Sequence, residues 1–115
     1  MKILVLGANG QLGQCLKDQF SSTDYQVIFT SKAEIDVSDY NATRKIITQI
    51  KPEIVINASA YTAVDNAEKD FTSANKINHL AVDNIAKSVA HINSLPIHVS
   101  TDYVFDGNET SPYKE

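Results

Sequence analysis

An α/β fold, a parallel sheet covered by helices on both faces, is predicted by three observations on this 115-residue sequence. Short apolar runs recur along the chain, and between them the apolar spacing lengthens to the four-residue step of a helix. Each connection is also long enough for the crossover that parallel neighbours require. The runs are Ile3 to Leu6, Val27 to Phe29, Ile54 to Ile56 and Leu95 to Val99, each bounded by polar or turn residues, as in strands buried on both faces. Pro96 is restricted to the first positions of the last strand, because proline donates no ladder hydrogen bond.

Leu12, Leu16 and Phe20 fall on one face of a first helix, and Ala42, Ile46 and Ile50 on one face of a second. The second helix has Ser38 or Asp39 as its N-cap and Pro52 just beyond its end. A longer stripe, Ala74, Ile77, Ala81, Ile85, Val89 and Ile92, predicts a third helix from about Thr72 to Ile92. Right-handed crossovers make this the first half of a doubly wound sheet, incomplete at about four strands. Analogy with the mononucleotide-binding half predicts the spatial order 3-2-1-4. The sequence contains no internal repeat, low-complexity tract or linker, and from Asp106 onward Gly107, Asn108, Ser111 and Pro112 read as loop.

The length fits one core, and the formal net charge of -4 argues against nucleic acid as a partner. Lysines and arginines are scattered, the nearest approach to a run being Arg44-Lys45. No basic segment followed by a long apolar one opens the chain, and no apolar run approaches the ~18 residues of a membrane span. A soluble, cytoplasmic protein with no membrane partner is expected. Cys15 is the single cysteine, so no internal disulfide forms, and its place in a helix predicts a small buried apolar role. His79, His91 and His98 have no carboxylate or cysteine at metal-ligand spacing, so no zinc site is expected.

The first run ends in "GANGQLG", with Gly7, Gly10 and Gly13 at every third position. In a strand-loop-helix unit, glycines permit a sharp turn, close backbone approach to a diphosphate and tight packing of helix on strand. A helix beginning near Gln11 points its unpaired N–H groups and positive dipole end at the phosphates. Gly7, Asn9, Gly10, Gln11, Leu12 and Gly13 are therefore candidate dinucleotide-binding residues, against the simpler reading of a structural turn. This makes the sheet Rossmann-type.

The spacing G-x-x-G-x-x-G resembles the loop of the short-chain dehydrogenase/reductases. After the second strand, Thr30-Ser31-Lys32 offers no acid for the adenosine ribose, whereas the Ser31 hydroxyl and Lys32 ammonium suit a 2'-phosphate. This favours NADPH over NADH, with a solvated turn as the alternative. Asp36 and Val37 lie where the chain of that family passes the adenine, a position that also suits helix entry.

Three more segments, "INASAYTAVDNAEKD" from Ile56, "NKINHLAVDNIAKSV" from Asn75 and "STDYVFDG" from Ser100, extend the likeness over essentially the whole chain. Together with the glycine loop they resemble the dTDP-4-dehydrorhamnose reductase family of extended short-chain dehydrogenases. That resemblance implies that Ala58, Ser59, Ala60 and Thr62 line the cofactor, with Tyr61, Val64 and Asp65 near the mouth of a substrate cleft. Thr101 matches the hydroxyl residue that hydrogen-bonds the reacting carbonyl, and Asp102 its substrate-contacting neighbour; an ordinary strand-ending turn is the alternative. Ser100 falls on the opposite side of the strand and reads as structural. Asn78 matches the family's helix asparagine, whose buried structural role is to tie backbone groups together. Some members hold Mg²⁺ through acidic residues at a dimer interface; Cys15 stands at a plausible contributing position here, which counts against magnesium.

In that family NAD(P)H gives hydride to C4 of dTDP-4-dehydro-L-rhamnose, and a tyrosine protonates the oxygen, its pKa lowered by a lysine four residues on. No such Y-x-x-x-K pair is present: Phe29, Arg44, Asp65 and Gly107 follow Tyr25, Tyr40, Tyr61 and Tyr103 at that spacing, and Tyr113-Lys114 is adjacent. The chain is therefore expected to be the N-terminal part of a NAD(P)-binding domain, without the substrate domain. It is also expected to be inactive alone, since a general acid is worth ~10²–10⁴ in rate. Another extended short-chain dehydrogenase, such as a nucleotide-sugar epimerase or dehydratase, and a non-catalytic NAD(P)-binding regulatory subunit are the competing readings. A bare fourth strand predicts a homodimer or self-association through the sheet edge.

Overall fold

The computed structural model describes residues 1–62, 69–101 and 105–114, and all four apolar runs form strands of one parallel sheet. The elements are β1 (Lys2–Leu6), α1 (Gln11–Phe20), β2 (Gln26–Thr30), α2 (Tyr40–Ile50) and β3 (Ile54–Asn57). They are followed by α3 (Phe71–Asn75), a π-helical turn (Lys76–Leu80), α4 (Ala81–Ala90) and β4 (Leu95–His98). The predicted third helix is thus interrupted by a π turn, a feature that apolar spacing does not reveal.

The predicted order 3-2-1-4 is corrected: the strands lie in the order β2-β1-β3-β4. Ile3 and Leu6 of β1 stand opposite Val27 and Thr30 on one side and opposite Ile54 and Asn57 on the other. The analogy placed β3 outside β2. Its Val55, Ile56 and Asn57 are buried and take an interior place between β1 and β4 instead. The segment after β2 makes turns, with the Glu34 and Ile35 N–H groups donating to the Ser31 carbonyl, and it extends the sheet no further.

Right-handed crossovers then dictate the helix layers. From β1 to β2 the chain steps one way, and from β2 through β3 to β4 it steps the other, so α1 must lie on one face and α2 and α4 on the opposite one. Ile3, Val5 and Ile56 meet Leu16 and Phe20 of α1 on the first face. Leu4, Leu6 and Val55 meet Ile47, Ile85 and Val89 on the second. Period-two alternation along β1 thereby supplies both layers.

Two apolar readings shift in register. On α2 the buried positions are Thr43 and Ile47, flanked by half-buried Ile46 and Ile50, while Ala42 is exposed. Cys15 is exposed, correcting its expected burial: it follows one residue before Leu16, about 100° around α1 from the face that meets the sheet. On the edge strand β4, Leu95 and Ile97 are exposed, as is Val99 beyond it, so that run is not buried on both faces. Among the described residues no helix is long and apolar enough to cross a membrane.

Asp39, of the two N-cap candidates, is the one that caps α2, accepting from the Ala42 N–H at 3.0 Å. At the other end Lys51 turns left-handed (φ 47°) and buried Pro52 follows. Asp39→Ala is expected to cost about 1 kcal/mol of stability. A urea titration reads this as a lower midpoint at unchanged slope, and an unmoved midpoint rejects the cap assignment.

Candidate functional site

The reversal of chain direction between β1 and β3 creates a switch point, and in parallel sheets ligands bind outside the carboxyl ends of the strands there. The loops leaving β1 and β3 meet at that place. Gly7 adopts φ +83°, and a Cβ on it would lie 2.6 Å from the Ser59 nitrogen and 2.8 Å from the Ala58 carbonyl carbon. A Cβ on Gly13 would lie 2.5 Å from the Gly7 oxygen and 2.6 Å from atoms of Ala8. Both glycines are required by backbone approaching backbone. Gly10 differs, because a Cβ there would meet only the Gly7 and Ala58 carbonyl oxygens, at 3.5 and 3.9 Å, which is ordinary contact.

Gly10 is the N-cap of α1 in extended conformation (φ -73°, ψ 171°), with no side-chain cap and no acidic residue in the first turn. Serine or aspartate is the stronger choice at such a position and would satisfy one of the orphan N–H groups. Here those groups and the positive end of the helix stay open.

A cleft of about 180 Å³ lies at this helix end, bounded by Gly7, Asn9, Gly10, Lys32, Asp36 and Val37, by Ala58, Ser59 and Ala60, and by Ile35 and Ile77. It is smaller than the roughly 300–1,000 Å³ of complete small-molecule sites. Nine residues singled out from the sequence converge on it. Gln11 and Leu12 lie exposed at the start of α1, Gly13 is buried beneath the loop, and neither Ser31 nor Thr62 lines the cleft. Ile35 and Ile77 were missed. Their apolar periodicity reads as core, and both do pack in the core beneath the cleft as well.

The floor is held by polar contacts. The Thr30 carbonyl accepts from the N–H groups of Gly7 and Ala8 at 3.0 and 2.9 Å, fixing the glycine loop to the end of β2. Buried Asn57 accepts from the Ser59 N–H at 3.1 Å and from the Ser59 hydroxyl, while its amide nitrogen lies 3.2 Å from His98 Nδ1. Asn78, in the π turn, accepts from the Tyr61 N–H at 2.8 Å and donates to the Tyr61 carbonyl at 3.2 Å. It ties backbone groups as expected, but from an exposed position, correcting its expected burial. Asp36 both lines the cleft and accepts from the Ser38 hydroxyl (2.7 Å) and N–H (2.9 Å). Those bonds hold its carboxyl below the usual range, with smaller help from Lys32 and Lys76.

Thr101 is exposed just past β4. The expected Asp102, Val64 and Asp65 lie outside the described residues. No cluster suited to a metal ion occurs among the described residues.

A parallel sheet with a glycine loop and an open helix end at its switch point defines a Rossmann-type unit. The family model described as RmlD substrate binding domain matches residues 1–115, and the chain belongs to that family. A dTDP-4-dehydrorhamnose reductase of Burkholderia thailandensis is 44% identical over 115 residues, covering 100% of this chain and 38% of the relative. A dTDP-4-dehydrorhamnose reductase structure from Clostridium acetobutylicum superposes with a TM-score of 0.95 at 39% identity, over 98% of this chain and 40% of that one. One from Bacillus anthracis, in complex with NADP, gives 0.89 at 32% identity, over 94% and 39%. The chain thus spans about two fifths of the length of these relatives.

Gly7→Ala and Gly13→Ala are each expected to lower the unfolding free energy by at least about 2 kcal/mol, through strain and overpacking. A wild-type midpoint for Gly7→Ala would show that the loops after β1 and β3 do not touch as described, and one for Gly13→Ala that α1 does not press on the loop before it. Because the Asp36 pKa is depressed on folding, its stabilisation is present above the unfolded carboxylate value near ~4 and is lost as pH falls through the folded value. Asp36→Asn should therefore cost under about 1 kcal/mol at neutral pH, and progressively less as pH falls through the folded value. A pH-independent difference in denaturation curves would refute this linkage.

Proposed function

We propose that the chain binds NADPH or NADH and is the N-terminal, cofactor-binding part of a sugar-nucleotide reductase. That enzyme reduces the C4 keto group of dTDP-4-dehydro-L-rhamnose to give dTDP-L-rhamnose. The observation that carries this reading is Gly10: the fold leaves room for a side chain there and a cap would stabilise α1, yet the position is bare and lines the cleft. A diphosphate has use for both features, since it needs close backbone approach and unpaired N–H groups. Matches to reductases over nearly all of this chain support the substrate assignment.

In this reading Gly7, Asn9, Gly10, Gln11, Leu12 and Gly13 form the diphosphate cradle. Lys32, Asp36 and Val37 border the adenosine, with Ser31 beside them, and Ala58, Ser59, Ala60 and Thr62 follow the chain of the cofactor toward the nicotinamide. The nicotinamide supplies hydride when bound. Thr101 hydrogen-bonds the substrate carbonyl oxygen and Asp102 contacts the sugar nucleotide. The protonating tyrosine and its lysine partner are not among these 115 residues, so the isolated chain binds cofactor without turning over. We assign it to the cytoplasm, where nucleotide sugars are substrates, and infer that exposed Leu95, Ile97 and Val99 favour pairing of two copies at β4.

Gly10→Ser is expected to leave stability unchanged or raise it by up to about 0.5 kcal/mol through capping, while weakening NADPH binding at least about tenfold. Wild-type affinity in this variant would sink the diphosphate assignment. Incubated with NADPH and dTDP-4-dehydro-L-rhamnose, the 115-residue chain should show no consumption of reduced nicotinamide; turnover would place the proton donor within it.

A further inference from the structure

We propose that Glu34 sets the choice between the two nicotinamide cofactors, because its carboxylate occupies the anion seat that the 2'-phosphate of NADPH needs; this step rests on the cofactor reading above. Ser31 is the first residue beyond β2, next to the Thr30 carbonyl that anchors the glycine loop and to Lys32 in the cleft wall. In Rossmann-type sheets the adenosine ribose lies near this strand end.

Both donors of Ser31 are already engaged by one oxygen. Its N–H donates to Glu34 Oε2 at 2.7 Å, and its hydroxyl donates to the same atom at 2.8 Å. These two bonds hold the Glu34 carboxyl below its usual range, with a smaller contribution from Lys17, so the group is an anion at neutral pH. The turn itself is closed separately, by the Ser31 carbonyl accepting from the N–H groups of Glu34 and Ile35 at 3.1 and 2.9 Å. The side chain is therefore able to swing away and leave the two Ser31 donors in place.

An N–H and an O–H converging on one anionic oxygen suit phosphate oxygen as well as carboxylate. NADH brings a 2'-hydroxyl, for which a carboxylate is a good acceptor. NADPH brings a phosphate, which must either displace Glu34 or lie against its like charge. Either course costs affinity for NADPH alone, so Glu34 narrows the preference that Ser31 and Lys32 would otherwise give.

The wild-type chain, Glu34→Gln and Glu34→Ala are titrated with NADPH and with NADH, following the fluorescence of the reduced nicotinamide. Glutamine keeps an acceptor for Ser31 without the charge, and alanine empties the seat. In both variants the ratio of the NADPH Kd to the NADH Kd is expected to fall about tenfold. If Glu34 only closes its turn, the alanine variant weakens both cofactors equally; an unchanged ratio with NADH still bound overturns the proposal and leaves the cofactor reading intact. Failure of the wild-type chain to bind either cofactor overturns both.

Discussion

Everything at the switch point depends on two stretches of backbone approaching more closely than any side chain allows. The loop after β1 presses on the loop after β3 at Gly7 and Ser59, where a single added carbon would stand 2.6 Å from a peptide nitrogen. The same loop presses on the start of α1 at Gly13, again within 2.5 Å. These contacts bring a helix N-terminus, the end of β2 and the end of β3 around one cleft. The missing Cβ atoms of Gly7 and Gly13 join the loop after β3 and the start of α1 to the loop after β1, and the Thr30 carbonyl adds the end of β2.

The sheet order gives that contact its meaning. Had β3 lain outside β2, the loops after β1 and β3 would be separated by a strand, and α1 and α2 would share a face. With β3 against β1, the crossovers diverge from β1 and leave a crevice whose walls come from Gly7 to Gly10 on one side and Ala58 to Ala60 on the other. Asn57 continues the arrangement downward, since its buried amide reaches Ser59 above and His98 of β4 beside it. The site is built on interior strands and finished by short loops, which positions it more firmly than loops alone would.

Strands and helices were legible because buried parallel strands need apolar runs and covering helices need four-residue spacing; both signals are local. The glycine loop was legible for a related reason, since few other residues accept its backbone approaches. Sheet order was not, because right-handedness fixes the face a crossover takes and leaves open whether β3 lies beside β1 or β2. The π turn escaped because Ile77 and Ala81 keep helical spacing across it. Ile35 and Ile77 escaped because a residue that walls a cleft and also packs a core carries only the core signature. Cys15 was misplaced by one position around a helix, a rotation of about 100°. The sequence offers the Ser31 hydroxyl to a 2'-phosphate, and only the fold shows that Glu34, three residues on, already holds it.

The central claim is that the open N-terminus of α1 and the loop after β3 together hold a dinucleotide diphosphate. Its most direct test is a titration of the isotopically labelled 115-residue chain with NADPH, followed by backbone amide resonances. The amides of Gly10 to Gly13 and of Ala58 to Ala60 should shift together along one saturable curve, while that of Ile47, buried on the far layer, stays still. Shifts confined to β4 and the residues beyond it, or none at saturating cofactor, would contradict the claim.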